Sequence, residues 1–126
     1  MDYAAKEKDA DFLMNQVFNV HQNWSQIEAY QEFSAELVRA VVAEGGRLAA
    51  EVMAPLNKVG DAHGCQLSDG EVTTPPGFKE AFAQITEGGW LGLTGNPTFG
   101  GQGMPKSLAG LIEEMFSCLL DTSDDA

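Results

Sequence analysis

The sequence predicts an all-α fold in which four to five helices pack orthogonally or antiparallel around one core. Apolar residues recur at helical spacing in several segments, and no segment alternates convincingly as a strand. The chain has 126 residues, of which 44% are hydrophobic, so a single domain with a real core is expected. Between the helical segments, turn-forming residues from Asn57 to Pro76 predict one long irregular loop.

The N-terminal segment predicts one helix and a shorter helical piece. The helix is expected over residues 9–20 with an apolar stripe of Leu13, Val17 and Val20, and with Met14 and Phe18 beside it. The short piece covers residues 25–33, where apolar side chains recur every three residues at Trp24, Ile27, Tyr30 and Phe33. Ser25 and Glu28 have the spacing of a capping box.

The longest helix is predicted from Ser34 to about Met53. Its apolar residues form two neighbouring rows: Leu37, Val41, Leu48 and Val52, and beside them Val38, Val42, Ala49 and Met53. The pair Gly45–Gly46 predicts either a kink or a close helix crossing, because glycine is unfavourable in a helix without such a reason. Pro55 marks the expected helix end, although a further turn is possible.

Two more helices are predicted in the C-terminal half. Asp69–Gly70 is a turn that could close a small hairpin, and Thr74 is the expected N-cap of the next helix. That helix presents Phe78, Ala81, Phe82 and Ile85 on one face and ends at Gly88. The last helix begins near Pro105 and carries a clear stripe of Leu108, Leu111, Ile112, Met115, Phe116 and Leu119.

Aromatic residues are expected in the core, since burying one removes a large apolar area from water. The expected core aromatics are Trp24, Phe33, Phe78, Phe82, Trp90 and Phe99. Trp90 is also expected to anchor the loop that follows Gly88–Gly89 against the helices. Replacing Phe82 or Met115 by alanine should therefore cost about 2–5 kcal/mol.

Composition excludes several classes of function. The formal net charge of −12 opposes binding to phosphate backbones and to anionic lipid surfaces, so no nucleic-acid or membrane partner is expected. No secretory signal and no apolar run long enough to cross a membrane is found. Two cysteines, Cys65 and Cys118, are too few for a disulfide scaffold and indicate idle thiols in a reducing cytoplasm.

The glycine-rich turn Gly100–Gly103 has one feature of a phosphate site and lacks others. It precedes a helix N-terminus, which is where anions bind, but it lacks the lysine and hydroxyl of a P-loop and the glycine spacing of a dinucleotide fold. The turn therefore predicts a close approach of backbone to backbone.

The remaining polar residues predict no catalytic and no metal site. His63 and Cys65 with Asp61 and Asp69 could be drawn as metal ligands, but a glycine-rich loop would lose much entropy in holding them, and a solvated loop is favoured. Glu113 and Glu114 are adjacent on a helix and cannot face one substrate together.

Several motifs together resemble the N-terminal α-helical domain of the acyl-CoA dehydrogenases. In chain order they are Ala54-Pro-Leu-Asn-Lys-Val-Gly-Asp61, His63-Gly-Cys65, Asp69-Gly70, Pro75-Pro-Gly-Phe78, Gly88-Gly-Trp-Leu-Gly-Leu93 and Phe99-Gly-Gly-Gln-Gly-Met-Pro105. The opening segment is similar to that of the subgroup with an extended N-terminus. The resemblance divides the chain into extension helices at 1–33, the helical domain at 34–120 and an acidic tail at 121–126.

This resemblance implies a flavoprotein family that uses FAD to oxidise the α–β bond of acyl-CoA thioesters. In that family a middle β-domain and a C-terminal helical domain hold the flavin, and the latter supplies the catalytic glutamate. No catalytic or cofactor-binding residue is therefore carried over, and the chain is expected to be an inactive truncated domain. Near the mouth of the acyl pocket the resemblance places Phe99, Gly100, Gly101, Gly103 and Met104.

Two other functions stay open at this point. The chain could be a separate helical interaction module that forms a homo-oligomer or binds a helical partner through the apolar face of its last helix. It could also be a small binder of acyl chains or CoA.

Overall fold

A computed structural model describes residues 3–120, with side chains described as far as Ser117. The α-helices are α1 (Glu7–Phe12), α2 (Val20–Trp24), α3 (Ala35–Leu48), α4 (Ala54–His63), α5 (Phe78–Glu87) and α6 (Lys106–Leu120). A π-helical turn (Leu13–Val17) extends α1, and a second one (Ala49–Met53) joins α3 to α4. Strands β1 (Gln66–Ser68) and β2 (Glu71–Thr73) form one hairpin. The predicted all-α class is confirmed, with this small addition.

The predicted first helix is interrupted before its end. Asn19 adopts a left-handed conformation with φ of 44°, which asparagine tolerates better than most residues, and α2 starts after it. The expected capping box is wrong as well. Ser25 follows the end of α2, where its hydroxyl donates to the Gln22 carbonyl at 2.8 Å, and only a 3₁₀ turn at Glu28–Tyr30 follows.

The apolar stripe predicted for the first helix does not face the core as a unit. Ala10 and Met14 are buried, whereas Leu13 and Val17 are exposed. The sequence could not decide between the two faces because apolar side chains lie on both.

Helix α3 begins where the sequence predicts. The Ser34 hydroxyl accepts a hydrogen bond from the Leu37 backbone N–H at 3.1 Å, which is an N-cap. The row containing Val38 and Val42 is buried, while Leu37 points outward. The two glycines serve a close crossing: an added Cβ at Gly45 would meet Ile112 of α6, and one at Gly46 would meet Ala5. The crossing alternative is confirmed.

Pro55 does not end the long helix, so the predicted boundary is wrong. Ala54 donates its N–H to the Ala49 carbonyl, five residues back, and α4 continues from there to His63. A proline normally clashes with the carbonyl four residues before it. The preceding π-helical turn uses the longer hydrogen-bond spacing, and the chain passes Pro55 within one continuous helical path.

The irregular loop predicted from Asn57 to Pro76 is shorter in the structure and partly ordered. Its first part, Asn57 to His63, belongs to helix α4. The Asp69–Gly70 hairpin is confirmed, with Leu67 opposite Val72. Positive φ angles of 52° at Asp69 and 82° at Gly70 suit the tight two-residue turn that matches strand twist.

Helix α5 starts later than predicted. Thr74 is not its N-cap; Gly77, with φ of 86°, occupies that position and carries no side chain to cap the helix. At the other end Gly88 is the C-cap, and Gly89 adopts the left-handed conformation that turns the chain away.

The core lies between α3, α6 and the N-terminal helices. Its buried members include Met14, Trp24, Val42, Leu108 and Ile112. Helix α6 begins at Lys106, after a buried Pro105, and its predicted stripe is confirmed as far as Met115; the side chain of Leu119 and the tail 121–126 lie outside the described residues. No helix among residues 3–120 is both long and apolar enough to span a membrane.

Candidate functional site

The loop between α5 and α6, residues 88–105, is the candidate functional site. Two short 3₁₀ turns, Trp90–Gly92 and Pro97–Phe99, give it local order. The second turn is capped by Asn96, whose side-chain oxygen accepts from the Thr98 N–H at 2.9 Å.

The loop folds back on itself through main-chain hydrogen bonds. Gln102 donates its N–H to Gly92 at 2.9 Å, Gly103 to Gly95 at 2.9 Å, and Met104 to Leu93 at 2.8 Å. The Gln102 side chain adds a bond of 3.1 Å to the Gly89 carbonyl. These bonds join both ends of the loop, so it is a fixed element of the fold.

The close approach of backbone to backbone predicted for the glycines is confirmed. A Cβ at Gly101 would overlap the backbone of Gly95. Gly100 and Gly103 have φ of 87° and 63°, where a side chain adds strain. Glycine is needed at these positions because of packing and turn geometry.

The same bonds exclude this loop as a phosphate cradle. From Phe99 to Met104 each backbone N–H already donates to a backbone carbonyl of the loop, at distances of 2.8–3.1 Å. A phosphate site needs several N–H groups free to point at the anion. The residues of this loop therefore do not fit the pyrophosphate of FAD.

Trp90 anchors the loop to the helices, as the sequence predicts. Its ring meets the Phe116 ring edge-to-face, with 5.9 Å between centroids. It also lies against the side of α3 that carries Gly45, since an added Cβ there would be 3.3 Å from the Trp90 ring. Loop, α3 and α6 thus meet at one indole ring.

The five predicted pocket-mouth residues are close in sequence but do not line one cavity. Phe99 is 88% exposed at the outer end of the loop, next to Gly100. Met104 is only 8% exposed and borders a groove of about 240 Å³ with Val41 and Trp90. Gly101 and Gly103 are half-buried within the turn. Their assignment to an acyl pocket stays a prediction.

A second, apolar groove lies between α4 and α5, and sequence reasoning missed it. It has a volume of about 260 Å³ and is lined by Met53, Leu56, Asn57, Phe78, Ala81, Phe82 and Ile85. The sequence signal for this groove was the spacing of Phe78 and Phe82 on α5, but the sequence predicts both residues to lie in the core. That assignment is wrong for Phe82, which is 60% exposed, and for Phe99.

No group of three or more His, Cys, Asp or Glu residues is placed to hold a metal ion between residues 3 and 120. His63 Nδ1 lies 3.0 Å from the Val59 carbonyl oxygen, and Cys65 is an exposed free thiol. The Nε2 atom of His21 is buried without a hydrogen-bond partner, beside the ring of Trp24.

The main charged cluster stabilises a helix. Arg47 donates to both carboxylate oxygens of Glu44, at 2.6 and 3.0 Å, and to Glu51 at 2.8 Å. The hydrogen bond from Arg47 lowers the pKa of Glu44, and the same bonds raise the pKa of Arg47. The three side chains are exposed and bridge the junction of α3 with its π-helical turn.

Comparison with known proteins finds a relative that matches almost the whole chain. No family model matches the chain. The 3-methylmercaptopropionyl-CoA dehydrogenase of Ruegeria pomeroyi is 34% identical to it in an alignment of 118 residues that covers 91% of this chain. The chain belongs to the acyl-CoA dehydrogenase family. It spans only 19% of the length of that relative.

Membership of the acyl-CoA dehydrogenase family confirms the resemblance predicted from the motifs. The match takes in nearly the whole chain and therefore most of its helices as well as the glycine-rich loop. The family relationship thus rests on the helical scaffold and the loop together, and no single short motif carries it.

Proposed function

We propose that this chain is the N-terminal helical domain of an FAD-dependent acyl-CoA dehydrogenase, an oxidoreductase of acyl-CoA metabolism, and is inactive by itself. The observation that carries the proposal is the 34% identity to a dehydrogenase across 91% of the chain. In the intact family the reaction is α,β-desaturation of an acyl-CoA thioester. The name of the relative specifies 3-methylmercaptopropionyl-CoA; for this chain we propose the class of acyl-CoA thioesters.

The glycine-rich loop supports a role as part of the substrate wall. Main-chain bonds and the Trp90 anchor hold it in one conformation. The Phe99 side chain extends from the loop into solvent, where it is accessible to an acyl chain. The Met104 side chain is buried and attaches the loop to the core. We propose that Phe99, Gly100, Gly101, Gly103 and Met104 border the mouth of the acyl pocket, with Phe99 as the contact residue.

The flavin chemistry lies outside these residues in the proposed arrangement. FAD requires a site for its pyrophosphate, and the N–H groups of the loop are already engaged. A cleft between α1 and α3 has a volume of about 360 Å³, near the lower limit for drug-sized ligands, and FAD is larger than those. We therefore propose a scaffold and wall function, located in the cytoplasm, for this chain.

A stand-alone helical interaction module is the second candidate. We predicted the last helix as its partner surface, but Leu108, Ile112 and Met115 of that helix are buried within the chain. Exposed apolar side chains do occur elsewhere, on α1, its π-helical turn and α5. An interaction module would have to use one of those surfaces.

A chimeric enzyme tests the dehydrogenase proposal. The matching segment of the Ruegeria pomeroyi dehydrogenase would be replaced by residues 3–120 of this chain. We expect a chimera that retains flavin and oxidises an acyl-CoA with electron transfer to a dye. A folded chimera with flavin and no activity would contradict a role in the substrate wall.

Two variants of the chimera separate substrate contact from folding. Phe99→Ala should raise KM for the acyl-CoA about 3- to 30-fold with little change in flavin content, because one apolar contact is lost. Leu67→Ala, on the exposed hairpin, is the matched control and should leave KM unchanged. Equal effects of the two substitutions would contradict the assignment of Phe99.

A further inference from the structure

A cleft of about 210 Å³ lies between the glycine-rich loop and helix α6, and we call it the loop–α6 cleft. Two of the side chains that line it are aromatic, Trp90 and Phe116, and their rings meet at an angle of 63°. Both residues are half-buried, so part of each ring stays accessible. The groove beside Val41 and Met104 is a different one, and Trp90 borders both.

The floor of the loop–α6 cleft is apolar and held in place. Leu93, Ala109 and Ile112 line the cleft, and all three are buried. The Leu93 carbonyl accepts the main-chain bond from Met104 at 2.8 Å, and Ile112 belongs to the close crossing of α6 with α3. A pre-formed apolar surface with a few polar groups is typical of small-molecule sites, and it favours a ligand that carries methyl or methylene groups.

The charge of the loop–α6 cleft is negative. Among the described residues that line it, Glu113 alone is charged. Glu113 is exposed and takes no part in the ion pairs formed within the described residues, whereas Glu44, in the groove on the other side of Trp90, is held by Arg47. Lys106 lies two turns earlier on α6 and does not line the cleft. The carboxylate of Glu113 therefore attracts a cation and repels an anion.

The aromatic side chains add a second attraction for a cation. The faces of indole and benzene rings carry negative charge density, so an ammonium group within about 6 Å of a ring centroid is attracted to them. Alkylated ammonium groups suit such a site because their methyl groups also cover apolar surface. The formal net charge of −12 raises the local concentration of any cation near the protein.

We propose that the loop–α6 cleft binds a small organic cation, a choline-like quaternary ammonium group, at Trp90, Phe116 and Glu113. Its volume of about 210 Å³ supports this size, because at roughly 30 Å³ per water-sized group it holds about as many groups as choline has non-hydrogen atoms. The proposal does not depend on the dehydrogenase function. It also differs from the acyl-pocket mouth, since neither Phe99 nor Met104 lines this cleft.

Titration of the 126-residue chain with choline chloride, followed by NMR, tests the site. We expect a saturable shift of the Trp90 indole N–H with Kd on the order of 1–10 mM, as suits so small a ligand. The indole N–H of Trp24, a core residue, should not shift. Sodium chloride at equal concentration is the control for ionic strength and should leave the Trp90 signal unchanged.

An uncharged analogue separates attraction for a cation from simple filling of an apolar cleft. In this analogue of choline a tert-butyl group replaces the trimethylammonium group, so size and shape are kept and the charge is lost. It should bind at least about 5-fold more weakly than choline, because neither the carboxylate nor the ring faces attract it.

Two neighbouring glutamates provide a matched pair of variants. Glu113→Gln and Glu114→Gln remove the same charge at exposed positions of one helix, but Glu114 lines a different cleft, beside Tyr3. Glu113→Gln should raise the Kd for choline at least about 5-fold, and Glu114→Gln less than about 2-fold. A Trp90 signal that does not shift, equal binding of the uncharged analogue, or equal effects of the two variants would each overturn the proposal.

Discussion

Gly45 of α3 lies directly against Ile112 of α6. A Cβ added to Gly45 would come within 2.6 Å of the Ile112 Cδ1 atom, and Ile112 is among the most deeply buried residues of the protein. The two helices therefore cross so closely that a side chain at position 45 would force Ile112 to shift. The Trp90 ring of the glycine-rich loop packs against the same position of α3. The helix crossing therefore also holds the candidate site in place.

Gly45→Ala should destabilise the protein despite the better helix propensity of alanine. We expect a loss of about 1–3 kcal/mol in the free energy of unfolding, because the new Cβ would displace the buried Ile112 side chain from its packed position. Gly110→Ala on α6 is the control, since nothing lies within 4 Å of its added Cβ. It should stabilise by about 0.5–1 kcal/mol. Urea denaturation would compare them, and the same sign for both would refute the tight crossing.

Met115→Ala and Phe82→Ala should differ sharply, although the sequence predicts similar losses for them. Met115 is buried in the core, so its truncation leaves a cavity and should cost about 2–5 kcal/mol. Phe82 is largely exposed on α5, and its truncation should change stability by no more than about 0.5 kcal/mol. Thermal unfolding measures both, and a comparable loss at Phe82 would show that its groove is filled within the folded chain.

Gly101→Ala should disrupt the glycine-rich loop more than Gly100→Ala. At Gly101 the new Cβ would run into the Gly95 backbone, which cannot move without breaking the main-chain bonds of the loop. At Gly100 the space is open and only the φ of 87° opposes alanine, at a cost of about 1–2 kcal/mol. Trp90 emission should shift to longer wavelength in Gly101→Ala alone, and a shift in neither variant would contradict the packed loop.

Acid should release the contact between Glu44 and Arg47. The hydrogen bond from Arg47 lowers the pKa of Glu44 below 4.5, so the stabilising effect is complete above that pH and is lost as the pH falls through the folded-state pKa. The effect is small because the side chains are exposed. Carbon NMR of the carboxyl groups should show the lowered pKa returning toward 4.5 in Arg47→Gln. An unchanged Glu44 titration in that variant would be the contrary result.

Periodicity predicted the helices well where one face alone is apolar. The start of α3 at the Ser34 cap and the stripe of α6 from Leu108 to Met115 follow from local rules, and so does the Asp69–Gly70 turn. The sequence also predicts the close approach of backbone to backbone in the glycine-rich loop.

The failures have physical causes that the sequence does not display. Apolar residues on both sides of the first helix hid which face is buried, and the left-handed Asn19 that breaks it is a rare conformation. The π-helical turn before Pro55 depends on hydrogen bonds five residues apart, which propensity rules do not include. Exposure of Phe82 and Phe99 depends on which elements cover them, and that is a tertiary property.

Titration of the purified chain with FAD tests the central claim most directly, namely that these helices are a scaffold without flavin chemistry of their own. We predict a colourless protein, and no change in flavin fluorescence or in the 450 nm absorbance region when FAD is added. A yellow protein with stoichiometric flavin, or acyl-CoA oxidation by this chain alone, would contradict the account.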